Sequence, residues 1–207
     1  MKTKLGPKLE RLFELIPNGY EVIWDTCCDH GKLGLACLEK EKAKKVIFVD
    51  QVPGIMKALE AKLTKIGELS PNRYELQTIP AQKIQLEKKK NLICICGVGG
   101  EEIIDIIKNL KGEFDLLLSP QYHLFEVRRF LNELGFKLIK EELCFEGKFG
   151  RELLFVSKKG ERDIDPIGKE LFDLTNERHL SYVNGITQHL KKIKSEEALK
   201  FYQKLIP

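Results

Sequence analysis

Short, almost wholly apolar runs alternate along this chain with stretches whose apolar residues recur at helical spacing, and this alternation limits the folds that it can adopt. Four apolar runs predict buried strands, over residues 21–25, 45–50, 91–96 and 114–119. Strands that are apolar on both faces are typical of a parallel sheet with helices packed on each side. The intervening helical patterns supply the crossovers that parallel strands require. The sequence therefore predicts an α/β fold with a mostly parallel sheet.

The end of the predicted sheet departs from this alternation. Two strands follow one another directly, over residues 136–145 and 152–157, with a predicted turn at Glu146-Gly147-Lys148. Such a hairpin adds an antiparallel last strand to a parallel sheet. The combination is typical of a Rossmann-like class I methyltransferase sheet, more than of nicotinamide dehydrogenases.

A change in composition after Lys158-Lys159-Gly160 marks a predicted boundary. The rest of the chain is polar and poor in glycine, and a stripe of apolar residues predicts one long helix or a helical hairpin: Leu171, Leu174, Leu180, Val183, Ile186, Leu190 and Ile193. This segment is too short to fold alone, so we expect it to pack on the main domain or on a partner. The predicted organisation is a Rossmann-like domain over residues 1–160 and a helical C-terminal appendage over residues 161–207.

Composition narrows the class of protein. Hydrophobic residues make up 43% and charged residues 32% of the 207 residues, which is ordinary for a soluble domain. No run approaches the roughly 20 apolar residues that span a bilayer, and the first residues lack the apolar core of a signal peptide. We therefore expect a cytoplasmic protein with no membrane contact, and we favour a monomer.

The charge is mildly basic, at a formal +4, which is compatible with an anionic partner. The lysines gather in three clusters: Lys2, Lys4 and Lys8, then Lys88, Lys89 and Lys90, then Lys191, Lys192 and Lys194. They are either solvated surface or contacts to phosphates, and the sequence leaves both interpretations open.

The six cysteines raise the question of a metal site, because residues 27–30 read Cys-Cys-Asp-His. Adjacent cysteines lack the C-x2-C spacing that wraps a zinc ion, and the sequence has no second well-spaced pair. Cys94 and Cys96 lie inside an apolar strand, where both side chains point to one face. We therefore expect free thiols and no metal.

Two aspartates close the first two strands of the predicted sheet, at the edge where open α/β sheets bind ligands. Asp50 follows Asp25 by 25 residues, and an acid at that position accepts bonds from both hydroxyls of a ribose. The alternative role for Asp50 is a helix N-cap ahead of Pro53. The loop over 25–31 lacks the G-x-G-x-x-G fingerprint, which argues against a bound pyrophosphate. It suits a ligand that carries an amino acid, whose ammonium would pair with Asp25.

Two more turns fall at the same edge of the predicted sheet. Ala81 and Gln82 follow Pro80 and are placed to lie beside an adenine ring. The run Gly97-Val98-Gly99-Gly100 follows the clearest strand, and its missing side chains let a substrate approach the backbone. His30 either touches the ligand or is a solvated loop residue.

Four segments, taken in order, resemble the bacterial tRNA adenine-22 N1-methyltransferases over residues from about 5 to 157. They are Asp25-x-x-x-Asp29-His30-Gly31, then Val49-Asp50-x-x-Pro53, then Gly97-Val98-Gly99-Gly100-Glu101, and last Ser119-Pro120-x-x-His123-x-x-x-x-Arg128-x-x-Leu131-x-x-x-Gly135-Phe136. The first and third segments together are fairly specific. The sequence departs from the family at Cys27, where a glycine is usual, and near Pro80, where an acidic residue is common.

This resemblance implies S-adenosylmethionine as methyl donor, N1 of a tRNA adenine as acceptor, and a helical tail that helps to hold the tRNA. It implies a cofactor loop and ribose site made of Asp25, Cys27, His30, Gly31, Asp50 and Gln51, with Ala81, Gln82 and Gly97 completing the pocket. It implies a catalytic loop of Gly97, Val98, Gly99 and Gly100 in place of the N-P-P-Y-type loop of other base methyltransferases. Asp29 and His123 are the candidate acceptors of the proton that the product loses.

Three alternatives remain open from the sequence. The same fold and cofactor can serve another RNA site or a small molecule. A relative that has kept the fold without catalysis would bind RNA alone. A nicotinamide enzyme is the third, and the absent glycine fingerprint weighs against it.

Overall fold

The computed structural model describes residues 3–66 and 70–205. The strands of its single sheet are β1 (Tyr20–Thr26), β2 (Ala43–Val49), β3 (Tyr74–Gln77), β4 (Asn91–Cys96), β5 (Phe114–Ser119), β6 (Lys137–Glu146) and β7 (Phe149–Ser157). The helices are α1 (Pro7–Leu15), α2 (Lys32–Glu39), α3 (Pro53–Lys65), α4 (Gly100–Asn109), α5 (Leu124–Glu133), α6 (Glu177–Lys192) and α7 (Glu196–Gln203). Short 3-10 turns lie at Pro71–Arg73, Ala81–Lys83 and Lys169–Leu171.

The strand order across the sheet is β3-β2-β1-β4-β5-β7-β6. The first five strands are parallel, and β7 pairs antiparallel with both β5 and β6. From β1 the chain adds β2 and β3 on one side, and from β4 it adds β5 on the other side. This reversal of direction opens a crevice between β1 and β4. The prediction of a Rossmann-like methyltransferase sheet with an antiparallel last strand is confirmed.

Apolar side chains cover both faces of the sheet. One buried cluster joins the sheet to α1, α2 and α3 through Leu12, Leu35 and Leu59. The cluster on the other face joins it to α4 and α5 through Ile103 and Leu131. Because successive strand residues point to opposite faces, each buried strand contributes to both clusters.

The observed bounds of β4 and β5 equal the predicted ones, and the ends of the other predicted strands shift by at most three residues. The hairpin turn is shorter than predicted, since Glu146 still belongs to β6 and β7 begins at Phe149. Helix α3 begins at Pro53, where the fixed φ of proline suits the first helical position.

The tail contains two helices, and the prediction that Leu171 and Leu174 belong to its helical stripe is wrong. The chain from 158 to 176 contains no α-helix, and its one helical turn is the 3-10 turn at Lys169–Leu171. Helix α6 starts after Asn176, whose side chain accepts a hydrogen bond from the Arg178 N–H at 2.9 Å. The helices pack on α5 through a third apolar cluster that includes Phe125, Val183 and Tyr202. The division of the chain at residue 160 stays a prediction.

An ion network around the fully buried Arg128 and Glu152 connects the tail to the sheet. The guanidinium of Arg128 on α5 lies 2.7 Å from the Glu152 carboxylate on β7 and 2.8 Å from the Glu141 carboxylate on β6. Arg128 also donates to the Asp165 carbonyl at 3.1 Å, and Tyr182 on α6 donates to Glu152 at 3.2 Å. Burial raises the pKa of Glu152, and the charge of Arg128 opposes that shift. One cation therefore joins two strands, two helices and the connection to the tail.

No helix in the described ranges combines the length and the apolar character needed to cross a membrane. Within the same residues, no three His, Cys, Asp or Glu side chains are grouped so that they could hold a metal ion.

We expect Arg128→Met to lower the free energy of unfolding by about 3–5 kcal/mol, because it leaves two buried carboxylates without a counter-ion. The loss should grow as pH rises, since the unpaired carboxylates cost most when ionised. Urea unfolding at several pH values measures both effects.

The matched control is Arg129→Met, one residue along the same helix. Arg129 pairs with Glu197 at 2.6 Å, and both side chains are about half exposed or more. An exposed pair contributes about 0–1 kcal/mol. Equal losses in the two variants would show that the buried network does not hold the tail and the sheet together.

Candidate active site at the carboxyl edge of the sheet

The loops that follow β1, β2, β4 and β5 meet at one edge of the sheet, because parallel strands end at the same edge. The first loop is tied to its neighbour by a hydrogen bond of 3.2 Å from the Cys28 N–H to the Val49 carbonyl. It has a left-handed backbone at three positions, Cys27 (φ +51°), Asp29 (φ +48°) and Gly31 (φ +63°). Two of these are not glycine, which costs about 1–2 kcal/mol per residue. The usual glycine of the resembling family would suit the conformation of Cys27.

Asp25 is buried at the end of β1 and fixes the start of α2. Its Oδ2 accepts a hydrogen bond from the Gly34 N–H at 2.8 Å. A Cβ at Gly34 would lie 2.9 Å from the same oxygen and would overlap the Phe48 ring, so only glycine fits there. Burial raises the pKa of Asp25 to about 7, and the nearby charge of Asp50 adds to the shift.

Asp50 lies directly after β2 and organises two loops at once. Its Oδ1 accepts from the Val52 N–H at 3.0 Å, and its Oδ2 accepts from the Asp29 N–H at 3.2 Å. A carboxylate has about four acceptor sites, so each oxygen keeps capacity for a further donor. The N-cap position of α3 belongs to Val52, so Asp50 is not the residue that caps this helix. The next residue, Gln51, is exposed.

His30 and Asp29 form the outer part of the first loop. The His30 Nε2 lies 3.8 Å from the Asp29 Oδ1, and both side chains are more than half exposed. They are open to solvent or to a ligand. The structure therefore brings together Asp25, Asp29 and Asp50 and leaves His30 at the rim.

The turn after β3 lies beside the start of α4. Ala81 is buried, and the Gln82 amide donates to Glu102 at 2.9 Å and to Asp105 at 2.8 Å. Both amide hydrogens are used, so the side-chain oxygen of Gln82 remains as an acceptor. Cys27 lies near this group, since the charge of Glu102 adds to the burial that raises the pKa of its thiol to about 12. Cys27 is therefore a neutral thiol.

The glycine loop that follows β4 is held against the end of β5. The Gly97 N–H donates to the Ser119 carbonyl at 3.0 Å, and the Gly100 N–H donates to the Tyr122 carbonyl at 3.0 Å. Gly97 has φ +84°, which favours glycine. Val98 is half-buried and packs on the apolar cluster beside α4. The close approach of the two loops leaves no room for side chains on the last two glycines: Cβ atoms at Gly99 and Gly100 would lie 2.5 Å and 2.7 Å from the nearest atoms.

His123 precedes α5 in a left-handed conformation, with φ +60°. Its Nε2 lies 3.8 Å from Glu101 and its Nδ1 lies 3.8 Å from Glu126. The imidazole is partly buried between two carboxylates. His123 shares this corner of the site with the glycine loop, because the Gly100 Cβ position is 2.7 Å from its carbonyl oxygen.

Two residues of this site were not predicted from the sequence. Tyr122 is half exposed, and its ring lies against Gly99. The signal that points to it is an aromatic residue within the segment Ser119-Pro120-x-x-His123. Lys8 of α1 reaches the glycine loop, with its Nζ 3.8 Å from the Cβ position of Gly97. Only the packing of α1 on the sheet shows this contact.

Comparisons with known proteins agree with this architecture. Residues 5–154 match the family described as "Methyltransferase domain". A comparison with curated protein sequences finds no match. Among solved structures, the M1A22 tRNA methyltransferase TrmK of B. subtilis superposes with a TM-score of 0.80 at 20% identity, covering 100% of both chains.

Two further structures are of liganded relatives. TrmK of M. capricolum, in complex with S-adenosyl-homocysteine, gives a TM-score of 0.76 at 16% identity and covers 97% of this chain and 93% of its own. Sp1610 of Streptococcus pneumoniae, in complex with S-adenosyl-L-methionine, gives a TM-score of 0.70 at 19% identity. The match covers 98% of this chain and 96% of that structure's chain. At these identities the likeness shows the fold.

The buried carboxyl of Asp25 predicts a pH dependence of stability. Its folded pKa of about 7 lies above the ordinary value of 3.8, so the folded state holds a proton that the unfolded state releases between these values. Stability is fully present below about pH 4 and is lost as pH rises through about 7. Since one pKa unit corresponds to about 1.4 kcal/mol, the loss reaches about 2–4 kcal/mol.

We therefore expect Asp25→Asn to gain stability relative to the wild type as pH rises from about 5 to 8. Urea unfolding of both proteins across that range, without added ligand, measures the difference. Parallel stability curves would contradict the raised pKa of Asp25.

Proposed function

The chain belongs to the methyltransferase-domain family, and we propose that it transfers a methyl group from S-adenosylmethionine to N1 of adenine 22 in a tRNA. The observation that carries the proposal is the placement of Asp25 and Asp50 on one side of the strand-order reversal, with the bare glycine loop 97–100 on the other. A nucleoside-type donor and a planar acceptor would meet across this crevice. The fold likeness to tRNA methyltransferases supports the choice of acceptor.

The residues at the end of β1 and β2 fit such a donor. Asp50 keeps acceptor capacity for the two ribose hydroxyls, because each of its oxygens takes one backbone N–H. Asp25 supplies a carboxylate for the ammonium of the methionine part, and that ammonium would stabilise its ionised form. Gly31 lets the same loop pack closely on α3, because a Cβ there would lie 2.8 Å from Leu59.

The adenine part of the donor would lie beside Ala81 and Gln82. The free side-chain oxygen of Gln82 is an acceptor for an exocyclic amino group, and its orientation is fixed by Glu102 and Asp105. This arrangement replaces the acidic residue that the resembling family often has near this position. Gln51 follows Asp50 and is exposed, and it stays a further candidate contact for the donor.

The protein's part in the reaction is to position two partners. S-adenosylmethionine supplies an electrophilic methyl group on a sulfonium, and N1 of neutral adenine has a lone pair, so attack needs no strong base. The enzyme must align the acceptor with the methyl group, which is catalysis through orientation. The target base has to leave its stack to enter the crevice. Backbone groups of residues 97–100 then bond the exocyclic amine as positive charge develops in the ring.

The methylated ring loses a proton from its amino group, and two residues are candidates to accept it. His123 lies beside the glycine loop, with its ring nitrogens 3.8 Å from the carboxylates of Glu101 and Glu126. Asp29 lies in the first loop and is open to solvent. His123 is the better placed, because it adjoins the loop that would hold the amine.

Titration calorimetry with S-adenosylmethionine tests the ribose site. We expect Asp50→Asn to weaken binding at least about tenfold, because bonds to a charged acceptor contribute about 1.5–3 kcal/mol each. The matched control is Asp173→Asn in the tail. Its carboxylate accepts from the N–H two residues ahead, Thr175, at 3.0 Å, as Asp50 does from Val52.

The control should bind as the wild type does. Wild-type protein that melts cooperatively and binds no S-adenosylmethionine would remove the proposal. Equal losses in both variants would assign the effect to loop folding instead of ribose contact.

Methyl transfer to an unmodified tRNA transcript, and to the same transcript with guanine at position 22, tests the acceptor. We expect N1-methyladenosine only with the first, detected by mass spectrometry of the digested RNA. Equal methylation of both transcripts would move the acceptor to another position, and methylation of neither would remove the tRNA proposal.

A further inference from the structure

We propose that the end of the β6–β7 hairpin, together with Lys8, receives the RNA strand that flanks the methylated base. We call this surface the hairpin patch, and it consists of Lys8, Lys148, Phe149 and Arg151. The inference rests on the proposed function and adds to it the surface that holds the substrate.

The hairpin patch lies next to the crevice because β7 is longer than the strand beside it. Leu118 of β5 pairs with Leu154 of β7, and β5 ends one residue later at Ser119. Strand β7 begins five positions before Leu154, at Phe149. The hairpin therefore projects past the carboxyl edge, on the side where the glycine loop lies.

Two of its side chains face α1. Side chains alternate along a strand, so Phe149 and Arg151 share the face of Leu153. Leu153 packs in the same buried cluster as Leu12 of α1. The hairpin end and the N-terminal helix therefore form one continuous surface.

Lys8 joins this surface to the glycine loop. Its Nζ lies 3.8 Å from the Cβ position of Gly97. Burial raises the pKa of the thiols of Cys96 on β4 and Cys144 on β6, and the charge of Lys8 opposes the shift at both. Since Cys144 pairs directly with Arg151, Lys8 lies between the crevice and the hairpin.

The hairpin patch is positively charged. Lys8, Lys148 and Arg151 have no carboxylate within 4.0 Å among the described residues. On this face of β6, Glu142 is already paired with Arg11 and Lys140, which leaves Glu146. The three cations of the hairpin patch therefore outnumber the one free carboxylate on this face of β6. Such an excess of positive charge favours binding of a polyanion.

An exposed aromatic ring completes the hairpin patch. Phe149 is 55% exposed, and its ring centroid lies 5.5 Å from the Lys148 Nζ and 5.6 Å from the Arg151 guanidinium carbon. A ring flanked by cations is the arrangement by which proteins stack an unpaired base and hold its phosphates. The occupant is therefore a locally unpaired RNA strand, such as the one a base leaves when it is drawn into the crevice.

Fluorescence anisotropy with a labelled, unmodified tRNA transcript tests the assignment. The charge variant is Lys148→Glu with Arg151→Gln. The matched control is Lys88→Glu with Lys159→Gln, which makes the same change in charge on two exposed lysines of a groove at the opposite edge of the sheet. The ring is tested with Phe149→Ala and with Phe149→Tyr, which keeps an aromatic face.

We expect the charge variant to bind RNA about tenfold or more weakly, with a shallower dependence on salt, and the control to change by less than about twofold. Phe149→Ala should weaken binding and Phe149→Tyr should restore it. Affinity for S-adenosylmethionine should stay within about twofold in every variant, which shows that the fold is intact.

Wild-type affinity in the charge variant, or equal loss in the control, would overturn the proposal. The test also separates this inference from the proposed function. Hairpin variants that bind RNA normally while the wild type methylates adenine 22 would remove the inference alone. Weakened RNA binding in a protein that methylates no transcript would retain the hairpin patch and remove the proposed reaction.

Discussion

The reversal of strand order between β1 and β4 is the constraint on which the rest of the molecule depends. Adjacent crossovers leave in opposite directions there, so no connection covers the carboxyl edge between the two strands. The loop with Asp25, the carboxylate of Asp50 and the glycine loop all border this gap. Each belongs to a different strand, and only the reversal places them around one space.

Negative charge is concentrated on one side of that space. Burial raises the cost of ionising Asp25, and the charge of Asp50 adds to it. A neutral ligand would leave this cost unchanged, whereas a ligand with an ammonium group would relieve it. The first loop has two left-handed residues that are not glycine, Cys27 and Asp29, and the Asp29 N–H bonds the Asp50 carboxylate at 3.2 Å.

Much of this arrangement follows from local sequence signals. Apolar runs marked the strands, and because ligand groups follow strand ends, Asp25 and Asp50 were placed correctly at the sheet edge. The role of Arg128 was not predictable, since its burial depends on a partner 24 residues away, Glu152. An arginine in a helix is ordinarily exposed. Lys8 was seen only as a member of a basic cluster, because its position depends on how α1 crosses the sheet.

The insertion of β7 between β5 and β6 determines when the sheet can close during synthesis. Strand β5 emerges first and exposes an apolar edge over Leu116–Leu118, which stays unpaired until Leu154–Val156 of β7 have left the ribosome. Strand β6 has no partner in the sheet before then, and Arg128 has only one of its two counter-ions. Nascent chains truncated before β7 therefore carry an open edge and an incompletely paired buried cation, the kind of surface that chaperones bind.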